Sequence, residues 1–266
     1  MRLLLAVFLI FSVYLQAAET QKLTTVPLKE VRLTDGPFLH SEQTNLKYLL
    51  ALDADKLLAP LRREAGIEQK TESYGNWENT GLDGHMLGHY LSALAFMASA
   101  TANEQIKARL DYLLTELETI QQAQQGYLGG VPGSKALWQQ IQQGQIEADL
   151  FSLNQHWVPF YNIHKTFAGL RDIYLQTGDQ RAKTLLLNYG NWLKNLVKNL
   201  SAQQIQQMLL TEHGGMNEVL ADMAVIYDDK SYMQLAKDFT ELRILEPLLK
   251  GEDQLLSLIH ISEPTR

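Results

Sequence analysis

Residues 168–185 read AGLRDIYLQTGDQRAKTL: an apolar run, a three-residue break at Thr177-Gly178-Asp179, and a second run. In the second run Ala182, Leu185, Leu186, Tyr189, Trp192, Leu193 and Leu196 recur at three- and four-residue steps, which puts them on one face of a helix. Gly178 stands where a helix commonly ends in a left-handed residue, and Asp179 is a residue type that caps the next helix. The stretch therefore reads as a helical hairpin. The same plan appears in ALAFMASATANEQIKARL (93–110) and EVLADMAVIYDDKSYMQL (218–235). Their breaks are Thr101-Ala102-Asn103 and Tyr227-Asp228-Asp229, and Asp228 replaces the glycine of the second hairpin.

Three helical hairpins in series predict an all-α chain, either a solenoid or a closed α/α toroid. The breaks lie 76 and then 50 residues apart, too irregular for a short strict repeat. The longer interval holds QQGYLGGVPGSKALWQQIQQG (124–144), a Gly/Pro-rich insertion with a short helix, which suits a toroid with functional loops at one mouth. Ahead of the hairpins lie a helix over roughly 37–58 and a short strand from Val26 to Leu33, closed by Asp35-Gly36-Pro37. The predicted layout is a signal peptide over 1–18, the strand segment over 19–36, and the N-terminal part of an (α/α)6 barrel over 37–255.

Both ends of the chain read differently from this body. MRLLLAVFLIFSVYLQAAET opens with one basic residue, an apolar run and small residues at Ala17 and Ala18. That pattern predicts export, periplasmic or extracellular, of a bacterial protein. The run is shorter than the ~20 residues a membrane span needs. At the other end, Leu256 to Arg266 (LSLIHISEPTR) matches one frame of a transposase-type sequencing-library adapter. As adapter translation it predicts no fold element, and its His260 and Glu263 are not site candidates. The 266 residues carry a net charge of −7 with no basic aromatic stripe, which argues against a nucleic-acid partner. With no cysteine at all, the chain has no disulfide and no thiolate ligand or nucleophile.

Polar residues gather at the start of each hairpin, in NTGLDGHMLGHYLSA, WVPFYNIHKTFAGL and TEHGGMNEVLADM. At a rise of ~1.5 Å per residue, each cluster lies at the opposite helix end from the turn. If the three first helices run side by side, Asp83, His85, His89, Asn162, His164, Lys165, His213, Asn217 and Glu218 crowd one end of the bundle. Such a mixture of donors and acceptors suits sugar hydroxyls, with Tyr74, Trp77, Tyr127, Trp157 and Tyr161 as candidate faces for sugar C–H surface. Glu218 falls in a first helical turn, where the dipole favours its ionised form and a role as hydroxyl acceptor. Plainer readings stay open. His85 and His89 are spaced to chelate a metal or merely to share a helix face. Asn217-Glu218 reads equally as a helix cap, His164-Lys165 as an ordinary helical pair, and each tryptophan as core.

The segments TGLDGHMLGHYLSALA, GYLGGVPGSKALW, YNIHKTFAGLRDIY and TEHGGMNEVLADM, in that order, resemble the β-L-arabinofuranosidase-type glycoside hydrolases, and VPLKEVRLTDGPF fits their opening strand. The resemblance implies an (α/α)6 barrel and removal of terminal L-arabinofuranose from plant oligo- or polysaccharide side chains. It also implies a zinc-bound cysteine nucleophile and a glutamate acid/base, both expected downstream of Leu255. The residues carried over are thus substrate-side only: Asp83, His85, His164, His213, Asn217 and Glu218. No catalytic or metal residue is expected in this chain, and by itself it is expected to be inactive and to bind no zinc. Two alternatives are an (α/α)6 hydrolase or lyase using Asp83 and Glu218 as a carboxylate pair, and a helical carbohydrate-binding scaffold without chemistry.

Overall fold

A computed structural model describes residues 24–252 of the chain. The signal-peptide and adapter readings fall outside these residues. Eleven α-helices are present among them: α1 Gly36–Ala51, α2 Ala54–Glu64, α3 His85–Thr101, α4 Glu104–Ala123, α5 Ser134–Gln142, α6 Pro159–Thr177, α7 Gln180–Val197, α8 Ala202–Met208, α9 Met216–Tyr227, α10 Lys230–Asp238 and α11 Leu242–Leu249. Two short strands, β1 Ser152–Leu153 and β2 His156–Trp157, form an antiparallel hairpin in the insertion ahead of α6. The chain is all-α, as expected of a toroid segment.

The three hairpins are α3/α4, α6/α7 and α9/α10, and their breaks behave as the sequence indicates. Asn103 accepts hydrogen bonds from the Gln105 and Ile106 amides at 2.9 and 3.1 Å. Asp179 accepts from Arg181 and Ala182 at 2.8 and 3.4 Å, and Asp229 from Ser231 at 2.8 Å. Each cap satisfies helix N-terminal amides that would otherwise lack partners. The residue before each cap is left-handed: Ala102, Gly178 and Asp228 have φ of 55°, 77° and 50°.

Two sequence expectations need correction. The helix over 37–58 is two helices, because Asp53 caps a new one by accepting from the Asp55 amide at 2.9 Å. The break is held by Arg109, which donates to the carbonyls of Leu50 and Leu52 at the end of α1. The strand expected over Val26–Leu33 is a single 3-10 turn, Leu28–Glu30, with extended backbone beside it at Val31. A strand needs a neighbour for its N–H and C=O groups, and among the described residues none pairs with this one.

The first helices α3, α6 and α9 lie side by side with α6 in the middle, and their second helices pack behind them. A β-carbon on Gly88 of α3 would sit 2.1 Å from the Lys165 carbonyl carbon of α6, and one on Gly169 would sit 2.7 Å from the Gly88 carbonyl oxygen. The two helices therefore meet backbone to backbone, which only glycine permits. Behind this wall Tyr127, Trp138, Tyr189 and Trp192 form an edge-to-face and tilted aromatic cluster. Three of these rings are buried and Trp192 is half-buried against the same core.

Candidate functional site

The side-by-side arrangement brings the starts of α3, α6 and α9 to one end of the wall, where the polar clusters were expected. Glycines fold the loop before α3 tightly: Gly81 and Gly84 have φ of 119° and 93°. This return places Glu78 under the start of α3. Its buried carboxylate accepts from the Gly84 amide at 2.9 Å and the Met86 amide at 3.0 Å, and lies 2.7 Å from His85 Nδ1. His85 Nδ1 also lies 2.8 Å from the Leu82 carbonyl oxygen. The His89 ring stands edge-on to His85 at 6.0 Å between centroids, with Trp77 on another side at 6.4 Å.

Asp83 is engaged internally. One oxygen accepts from Arg63 at 3.0 Å and the other from the Gly81 amide at 2.9 Å, and 2% of the residue is exposed. Its carbonyl accepts from Asn162 Nδ2 at 2.9 Å, which ties α6 to the loop before α3. Asp83 thus holds the site together rather than offering a free oxygen, and the carboxylate-pair alternative loses one of its two members.

His164 sits beneath Gly214-Gly215, the loop that opens α9; a β-carbon on Gly214 would lie 2.8 Å from its Nδ1. Neither ring nitrogen has a partner. Burial, helped by the Lys165 and Arg171 cations, pushes its pKa down to about 4, so the ring is neutral near neutral pH. The same Gly215 position faces Glu218, whose Oε2 would lie 3.1 Å from a β-carbon there. His213 lies in the same loop, with Nδ1 3.1 Å from the Thr211 carbonyl oxygen. Asn217 lies inside the first turn of α9 and accepts from the next amide, that of Glu218, at 2.9 Å, so it is not the helix cap, and the Glu218 carboxylate is two-thirds exposed. Lys165 is half-buried, its pKa lowered by burial, and its ammonium lies 4.1 Å from the Tyr161 ring centre.

Sequence reading missed an ion cluster in the middle of the wall. Arg171 of α6 donates to Asp172, to Glu218 at 3.1 Å and to Asp222 of α9 at 2.7 Å, and Ser92 of α3 donates to Asp172 at 2.6 Å. A signal existed, since Glu218 and Asp222 are like charges spaced i, i+4, which call for a cation on a neighbouring helix. Glu78 had no comparable signal. Its role depends on the fold of seven intervening residues.

An open cleft of about 500 Å3 lies at this end, lined by Leu82, Phe151, Trp157, Val158, Tyr161 and Glu212. Trp77, Phe151 and Trp157 are 63, 53 and 38% exposed. Of the aromatic candidates, Trp77, Trp157 and Tyr161 are therefore at the site. Tyr127 is buried in the core because its ring completes the aromatic cluster, and Tyr74 is tied to the Asp53 amide at 2.9 Å. The zinc implied by the resemblance finds no fit here. Among the described residues no three His, Asp or Glu side chains converge to hold a metal, and the chain has no cysteine. No described helix is long and apolar enough to cross a membrane.

The fold is similar to the crystal structure of Ara127N-Se, a GH127 β-L-arabinofuranosidase from Geobacillus stearothermophilus T6, with a TM-score of 0.50 and 14% identity. The match covers 84% of this chain and 35% of that one, so the chain spans about a third of its length. At that identity the likeness is one of fold. No curated protein sequence matches. The model of the β-L-arabinofuranosidase GH127 catalytic domain matches residues 30–261, the hairpins and polar clusters included. The chain belongs to the GH127 β-L-arabinofuranosidase catalytic-domain family.

Proposed function

We propose that this chain forms the substrate side of an exported glycoside hydrolase acting on terminal L-arabinofuranose of plant glycan side chains. The observation that carries the reading is the meeting of three helix starts beside exposed Trp77, Trp157 and Phe151. Polar side chains with both donor and acceptor capacity stand next to flat apolar faces, the combination a sugar ring requires. In this reading His85, His213, Asn217 and Glu218 meet hydroxyls, and Trp157 and Tyr161 cover the C–H face. His164 stays neutral beneath the glycine loop, and Asp83 fixes the loop that presents His85. The leader-like Met1–Ala18 supports export. Hydrolysis in the manner the family resemblance implies needs a zinc-bound cysteine, which this chain lacks, so it is expected to bind sugar without turning it over.

The test is a fluorescence titration of the folded chain with methyl β-L-arabinofuranoside, using Trp77 and Trp157 as reporters. The expected result is saturable binding, weakened by Trp157→Ala and absent with methyl β-D-xylopyranoside. Equal response to both sugars, or none to either, would overturn the assignment.

A further inference from the structure

Glu78 is a buried carboxylate with no assigned task, held by two backbone amides at the start of α3. Both of its oxygens are turned to backbone N–H groups, one to Gly84 and one to Met86, so both act as acceptors there. His85 Nδ1 is therefore flanked by two acceptors, this carboxylate at 2.7 Å and the Leu82 carbonyl at 2.8 Å. Neither can donate, so the ring must carry its hydrogen on Nδ1. In the neutral ring that leaves Nε2 as a lone-pair acceptor. Nε2 has no hydrogen-bond partner among the described residues, and the His85 side chain keeps only 4% of its surface exposed.

We propose that Glu78 is a positioning residue: it locks His85 in the Nδ1–H form and orients the ring so that Nε2 is left to accept a hydrogen bond from a sugar hydroxyl at the start of α3. The sugar half of this statement rests on the functional reading above; the tautomer half does not. The geometry separates Glu78 from a plain helix cap. Gly84 and Met86 use one oxygen each, and the oxygen facing Met86 is also the one on the ring. Only a carboxylate serves all three donors at once. An amide in its place turns an N–H2 group toward one of them.

The experiment is long-range 1H–15N NMR of the histidine-labelled full chain, with His85 assigned from the peak lost in His85→Gln. The expected spectrum has Nδ1 protonated and Nε2 bare, with the Nδ1 proton far downfield and slow to exchange because it is buried against a short carboxylate contact. In Glu78→Gln that proton moves upfield and exchanges faster, and affinity for methyl β-L-arabinofuranoside falls roughly tenfold. A wild-type spectrum with the hydrogen on Nε2 overturns the proposal, and needs no variant to fold. So does a folded Glu78→Gln with the proton resonance unmoved. A moved proton with unchanged affinity overturns the sugar-facing half. Absence of sugar binding by the wild-type chain overturns the functional reading instead, and the spectrum still decides the role of Glu78.

Discussion

Gly88→Ala tests the wall on which the site is built. The new β-carbon would meet the Lys165 carbonyl carbon at 2.1 Å, its oxygen at 2.3 Å and the Thr166 nitrogen at 2.5 Å. Carbon atoms in ordinary contact lie at ~3.5 Å or more, so α3 and α6 must part by roughly 1.5 Å. No side chain can rotate away, because all three atoms are backbone. Overpacking of this kind costs about 1–3 kcal/mol, and a contact against backbone belongs at the upper end. Alanine returns about 1 kcal/mol through its helix propensity, which leaves a net loss of about 2 kcal/mol. For a domain of this size that lowers the melting temperature by roughly 4–8 °C. Circular dichroism at the helix band reads this directly. Gly75→Ala is the control, since nothing lies within 4 Å of its would-be β-carbon and its φ of −75° suits any residue. If Gly88→Ala melts at or above the wild-type temperature, the helices are not in backbone contact and the inferred geometry of the site is wrong.

Other outcomes follow from single contacts. Arg63→Met strands the Asp83 carboxylate, whose side chain is 3% exposed, and is expected to cost about 2 kcal/mol in urea unfolding; an unchanged midpoint would show that the Gly81 amide suffices. His164 has a folded pKa of about 4 against an ordinary 6.5, so between these values the unfolded chain binds a proton that the folded one refuses. Stability is then complete above about pH 6.5 and falls by up to about 3 kcal/mol on the way to pH 4, and His164→Gln flattens that slope in denaturant melts at stepped pH. A slope unchanged in the variant would mean the ring is not buried. His89, whose pKa burial also lowers, adds a smaller loss of the same sign. Trp157→Ala removes an exposed ring from the cleft and is expected to weaken arabinofuranoside binding about tenfold with little change in melting temperature.

The hairpins were legible because their signals are local. Asn103, Asp179 and Asp229 bond to amides two or three residues on, and the buried faces of α4 and α7 follow a simple period. The meeting of the polar clusters was also legible, from helix length and the common direction of the three first helices. What sequence could not supply was how each side chain spends its hydrogen bonds. Asp83 and His85 sit two residues apart in one motif, yet one faces Arg63 and the other Glu78. That division depends on left-handed Gly81 and Gly84 and on Gly130, which packs against Gly84 and the Asp83 carbonyl. The strand expected over 26–33 failed for a related reason, since β-pattern alone provides no pairing partner.

The glycine contact between α3 and α6 also bears on the order in which the molecule folds. The Asn162–Asp83 hydrogen bond beside it joins residues 79 positions apart, whereas each hairpin closes across a break of two residues. Long loops close late, since their entropy is lost before any contact compensates for it. The hairpins therefore precede the wall, and the cleft is the last part of the described chain to become native. In pulse-labelled hydrogen exchange, the amides of α4 and α7 would gain protection while Gly84 and Met86, held by Glu78, still exchange.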